Sequence, residues 1–148
     1  MNTLAMAEAY VKDARRSLRE AQLSREEGAY HRCVRRAQEC VELALKGVLR
    51  LLGIEYPRSH DVSQALELAR PSMPEWLAQR VDDLKRASLK LAEERGPAFY
   101  GDERAYVPPE QLYGEEDAEE ALRMAREALE AAERLLSEFK ERAASEGF

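Results

Sequence analysis

The chain has 148 residues, 45% hydrophobic and 35% charged, with 23 Lys and Arg against 29 Asp and Glu for a net charge of −6. That length buries a core without disulfide or metal staples and predicts one domain over 1–148, while the acidic balance excludes a basic coat spread over the whole surface for nucleic acid. No apolar run approaches the roughly 18 residues needed to span a membrane and charges interrupt the first twenty residues, so neither a membrane span nor a secretory leader is expected and a cytoplasmic location is.

The charge is uneven. Residues 10–36 hold eight bases against four acids, whereas residues 102–148 hold fourteen acids against six bases. One anion-facing patch on an acidic body accounts for this asymmetry; so does the Arg- and Glu-covered helix surface of a heat-adapted protein.

From Thr3 to about Leu23, Leu4, Ala7, Val11, Ala14, Leu18 and Ala21 step by three and four, the spacing of one helix face. Lys12, Arg15, Arg16 and Arg19 fall on the outside. A break at Ser24–Gly28 is short enough to make the next helix antiparallel. That helix carries Tyr30, Val34, Ala37, Val41, Ala44, Val48 and Leu51, with a second row at Cys33, Cys40, Leu45, Leu49 and Leu52. So broad an apolar face needs partners on more than one side, and its surplus width predicts a homodimer. Gly53 ends it, and Tyr56–Asp61 forms a turn. Cys33 and Cys40 lie about 10.5 Å apart along the helix axis, too far for a bridge. They read as buried hydrophobes, and with two distant histidines no metal site is expected.

A third segment, Asp61 to Ala69, places Val62, Ala65, Leu66 and Ala69 on one face and ends at Arg70-Pro71. Ser72-Met73-Pro74-Glu75 reads as a capping box opening a fourth helix from Trp76 to about Glu94, on Leu77, Val81, Leu84 and Leu91. Ser88 is its one polar step. Residues 96–114 lack helical periodicity and contain Pro97, Pro108 and Pro109 with Phe99, Tyr100, Tyr106 and Tyr113, predicting a long loop with a functional role. Glu115, Glu116 and Asp117 suit the positive end of a last helix, which runs Ala118, Leu122, Ala125, Leu129, Ala132, Leu136 and Phe139. The expected fold is all-α: an antiparallel four-helix up-and-down bundle with one additional short helix and a long loop before the last helix.

Several polar residues admit two readings. Glu42 and Lys46, at i and i+4, form a helix-surface ion pair, or with Glu39 and Arg35 make a face where a phosphate or partner docks. His60-Asp61 caps a turn, or offers an imidazole that titrates near neutrality. Arg32, Arg35 and Arg36 share a face that is either solvated or in contact with phosphate. Tyr100, Tyr106 and Tyr113 with Arg104 clamp a base, or fasten the loop to the bundle.

The stretch from Ala37 to Val62 resembles the HEPN domain (higher eukaryotes and prokaryotes nucleotide-binding). The matching positions are Ala37-Gln38, Glu42 with Lys46, Leu51-Leu52-Gly53, and Pro57 with His60-Asp61. Arg95 to Asp102 is similar to the family's Arg-x-x-x-x-Tyr-x-Asp segment, and Asp117-Ala118-Glu119 to the start of its last helix. The resemblance implies either a metal-independent ribonuclease with an Arg-x(4–6)-His motif at a dimer interface, or a noncatalytic protein that binds nucleotides or RNA beside a minimal nucleotidyltransferase. No histidine follows Arg95, and the one Arg-x5-His match, Arg25 to His31, falls in the first interhelical turn. The expectation is therefore a homodimeric, noncatalytic nucleotide- or RNA-binding component of a toxin–antitoxin-like pair, without metal, cofactor or membrane. The binding candidates are Arg35, Glu42, Lys46, His60, Asp61, Arg95, Tyr100, Asp102 and Arg104. The alternatives are an endoribonuclease toxin in which Tyr100 or His60 serves Arg95 as base, and a purely structural interaction bundle.

Overall fold

A computed structural model describes residues 3–146 of the chain. Among these residues seven α-helices follow one another: α1 Thr3–Glu26, α2 Tyr30–Leu51, α3 Ser63–Ala69, α4 Glu75–Ala78, α5 Val81–Tyr100, α6 Pro109–Leu112 and α7 Glu115–Ser145, with a single 3₁₀ turn, Arg70–Ser72, between α3 and α4. The described residues form no strand, so the fold is all-α.

Side-chain pairs fix the directions of the long helices. Arg25 at the end of α1 bonds Glu115 and Glu119 at the start of α7, and Lys140 near the end of α7 pairs with Glu8; α1 and α7 are antiparallel. Arg36 reaches Glu20 while Arg50 lies over Tyr10, so α2 runs against α1. Arg95 meets Gln38 and Phe99 meets Arg35, so α5 runs against α2. Cys33 and Cys40 donate to the carbonyls of Ala118 and Ala125, which makes α2 and α7 parallel neighbours.

The helix α2 is the hub, packing on α1, α5 and α7. Twelve of its residues are buried, and these three neighbours inside the chain cover its broad face. Tyr30, Leu43 and Leu52 remain only partly buried at its edges. At Gly47 a Cβ would sit 3.4 Å from Val11 and 3.5 Å from the Ala7 carbonyl, so small residues on both helices set the close approach of α1 and α2.

Three local expectations are corrected. The expected fourth helix is two: α4 is a single turn, and α5 starts afresh at Val81 after Arg80. Ser72 does not cap it; Ser72 belongs to the 3₁₀ turn, and the residue before α4 is Pro74, which has no side-chain acceptor. The expected loop over 96–114 is largely structured. α5 runs through Gly96-Pro97 to Tyr100, because proline near a helix end removes only one backbone bond, and it stops at Gly101, whose φ of 77° turns the chain away. Asp102 and Val107 then exchange two backbone bonds at 2.9 and 3.0 Å, closing a tight turn before α6. Among the described residues the additional short helices thus number three: α3, α4 and α6.

Candidate functional site

Along one margin of the apolar face of α2, Arg35, Gln38, Glu42, Lys46 and Arg50 step by three and four, with Gln38 buried at its inner side. Two other segments fold onto it. α5 presents Arg95 and Phe99. The reversal after Gly53 (φ 71°), closed by Ile54 N–H on the Leu49 carbonyl at 2.9 Å, brings Tyr56 and His60 back alongside.

The result is a continuous hydrogen-bonded chain. Arg95 Nη1 donates to Gln38 Oε1 at 2.7 Å, and Gln38 Nε2 donates to Glu42 Oε1 at 2.8 Å. Lys46 Nζ donates to Glu42 Oε2 at 2.8 Å, and His60 Nδ1 lies 2.9 Å from Glu42 Oε1. Burial pushes the Glu42 carboxyl up, but the bonds from Lys46, Gln38 and His60 outweigh it and hold the carboxyl below its ordinary range. An ionised carboxylate only accepts, so His60 Nδ1 carries the hydrogen. The Glu42 and Lys46 side chains are only 17% and 15% exposed. The pair is thus part of a partly buried network and not a solvated ion pair.

At the α5 end the surface is basic and aromatic. The Arg35 guanidinium stacks 3.7 Å from the Phe99 ring, and Phe99 lies 4.6 Å from Tyr100. Burial lowers the Arg35 pKa, and the neighbouring cations Arg32, Arg36 and Arg95 add to the effect. His31 lies one turn before Arg35; burial lowers its pKa too, against the pull of Glu110 and with help from Arg32 and Arg35. Phe99 and Tyr100 are exposed.

The candidates divide. Arg35, Glu42, Lys46, His60 and Arg95 are joined in one edge, with Tyr100 at its basic end. Asp61 lies apart: its Oδ1 accepts from Ser63 N–H and Ser88 Oγ, both at 2.9 Å, so it caps α3 and ties it to α5. Asp102 accepts from Ala105 N–H at 3.1 Å inside the tight turn. Arg104 sits exposed on that turn, and Tyr106 is 92% exposed, fastening nothing. Tyr113 does fasten: its hydroxyl bonds Glu94.

Gln38, Phe99, Tyr10, Arg50 and Tyr56 were not among the binding candidates expected from the sequence, although Gln38 stands in the family resemblance and Phe99 among the loop aromatics. Gln38 had a signal, four residues before Glu42 within an apolar run, where a polar residue needs a partner. The others had none, since their roles depend on a second helix or the chain reversal. No group of three or more His, Cys, Asp or Glu among the described residues is placed to hold a metal ion, and no described helix is long and apolar enough to cross a membrane.

Residues 7–135 match the family model of the HEPN domain. The chain is similar to the crystal structure of ST0689, an archaeal HEPN homologue, with 28% identity and a TM-score of 0.68 over 88% of this chain and 97% of that one. It is also similar to that of TT1696 from Thermus thermophilus, with 30% identity and a TM-score of 0.73 over 91% and 99% of the two chains. No significant match is found among curated proteins. The family match runs from the first turns of α1 deep into α7 and takes in the whole network from Gln38 to Arg95, so the chain belongs to the HEPN domain family.

Proposed function

We propose that this chain is a noncatalytic, nucleotide- or RNA-binding HEPN protein acting beside a minimal nucleotidyltransferase in a toxin–antitoxin-like pair. The observation that carries the reading is the end of α5, where Arg35 stacks on Phe99 and Arg95 is anchored on Gln38. Guanidinium groups neutralise phosphates, and exposed rings such as Tyr100 accept unstacked bases. The reading takes 1–148 as one cytoplasmic domain and a homodimer as its working form. Because α2 is covered within the chain, the dimer uses exposed apolar groups elsewhere on the surface, away from the binding end of α5.

Fluorescence anisotropy with a short single-stranded 5′-hydroxyl RNA tests the binding. Affinity falls with salt, and Arg95→Ala or Arg35→Ala weakens it by about tenfold, in line with the loss of a charged hydrogen bond. Absence of binding, or equal binding by both variants, overturns the reading. Co-expression with a minimal nucleotidyltransferase encoded beside it, followed by gel filtration, tests the pairing, and light scattering at micromolar concentration tests the dimer.

A ribonuclease reading has one observation in its favour: Gln38 and Glu42 connect Arg95, a cation, to His60, an imidazole whose ring nitrogens can accept or donate a proton. RNA cleavage in the presence of chelator that vanishes in Arg95→Ala would replace the noncatalytic reading.

A further inference from the structure

The polar edge of α2 does not end at Lys46. Beyond it an open groove of about 460 Å³ is lined by Tyr10 of α1, Glu42, Lys46 and Arg50 of α2, and Tyr56, Arg58, Ser59 and His60 of the returning segment. Its charge is opposite to that of the protein as a whole. Lys46, Arg50 and Arg58 face one carboxylate, Glu42, whose oxygens already accept from Gln38, Lys46 and His60. Glu55 lines an adjoining depression that shares Arg50 and Tyr56 with this groove.

Arg50 is one of several arginines that meet no carboxylate among the described residues, and its partners are aromatic. Where Arg15, Arg25, Arg70 and Arg80 each reach a carboxylate, Arg50 has only phenols among the described residues. Its Nε donates to Tyr56 Oη at 3.0 Å, and its guanidinium lies 5.2 Å from the Tyr10 ring and 5.7 Å from the Tyr56 ring. Two rings on two different elements hold the guanidinium still without neutralising it. Arg58 is exposed at the rim, and among the described residues no hydrogen bond or ion pair occupies its side chain. In a chain with an excess of acids, two arginines without a carboxylate and one lysine converging on one concavity call for an anion from outside.

We infer that this groove is a phosphomonoester site: Arg50, Arg58 and Lys46 hold the phosphate of a nucleoside phosphate, and the rings of Tyr10 and Tyr56 offer a surface for its base. A guanidinium presents paired donors that match phosphate oxygens, and a terminal phosphate carries more charge than a diester. The volume lies within the range of small-ligand pockets, roughly 300–1,000 Å³. The phosphate comes either from a free mononucleotide or from the 5′ end of an RNA, since both present the same group. This site extends the RNA-binding reading to other residues and stands without it.

Calorimetry with AMP and with adenosine, and anisotropy with 5′-phosphorylated and 5′-hydroxyl forms of one short RNA, separate the sources. We expect AMP to bind about tenfold or more tightly than adenosine, or the phosphorylated RNA to exceed the hydroxyl form by a similar factor. The first result assigns a free nucleotide and the second an RNA end. The preference drops about fivefold or more in Arg58→Ala, at an exposed position, and in Arg50→Gln. A groove indifferent to phosphate in both pairs, or a preference that survives both substitutions, overturns the inference. Loss of 5′-hydroxyl RNA binding alone counts against the Arg35 and Arg95 face and leaves this site intact.

Discussion

Gln38 and Arg95, 57 positions apart in the chain, meet at 2.7 Å between Oε1 and Nη1. Gln38 is only 2% exposed, so its amide spends one end on Arg95 and the other on Glu42. Gln38→Leu removes both bonds and leaves Glu42, partly buried, with fewer donors. A hydrogen bond to a charged group is worth about 1.5–3 kcal/mol. We expect urea denaturation to show a loss of that size, and anisotropy to show weaker RNA binding as Arg95 loses its anchor.

The Glu42 carboxyl titrates below its ordinary range in the folded chain. A depressed folded pKa contributes stability that is fully present above the unfolded pKa, about 4.3, and is lost as pH falls through the folded value. Stability should therefore fall as pH drops below about 4.3, and fall less steeply in Glu42→Gln, which cannot titrate there. Denaturant midpoints measured through that fall for both proteins decide it; parallel curves would show that Glu42 contributes nothing.

Ser88 accepts from Val62 N–H at 2.9 Å and donates to Asp61 Oδ1 at 2.9 Å, inside the core. Ser88→Ala leaves the Val62 amide buried without an acceptor and should cost about 1–3 kcal/mol. Combined with Asp61→Ala, the total should be smaller than the sum of the two separate losses, because the two residues share one bond. A double-mutant cycle by chemical denaturation reads the coupling.

Gly101 has a φ of 77°, and a Cβ there would collide with the Val107 carbonyl. Gly101→Ala should open the turn from Asp102 to Val107 and fray the end of α5. Hydrogen exchange should rise at Asp102 and Val107, whose amides pair across the turn, while the amides of α2 keep their protection.

Burial pushes the Cys33 thiol up to about 11 and the Cys40 thiol up to about 12. The thiolate is the reactive form, so both should react slowly with a thiol reagent in the native chain and rapidly in denaturant. Fast labelling of the native protein would contradict the packing of α2 against α7.

The four long helices were legible because each buries one face, and a buried face writes a three-four spacing into the sequence. The break at Gly96-Pro97 misled because proline and glycine are read as stops from local rules, whereas here the helix tolerates both one turn before its end. The division at Arg80 was invisible for the opposite reason. Leu77, Val81 and Leu84 keep helical spacing across it, so the pattern alone carries no mark of the interruption.

The sequence by itself determined the helical class, the hub role of α2, the unbridged cysteines and, through Gln38, Glu42, Lys46, His60-Asp61 and Arg95, the family. Only the tertiary structure decided what those residues do to one another. Gln38 to Arg95 and His60 to Glu42 are contacts between elements, made when α5 and the returning segment pack on α2, and no spacing along the chain encodes them. It also decided that α2 is covered from within, and that Arg50 stands between two rings with no carboxylate among its described partners. Periodicity records which side of a helix faces the core; the partner of a polar group depends on the distance between helices, which only packing sets.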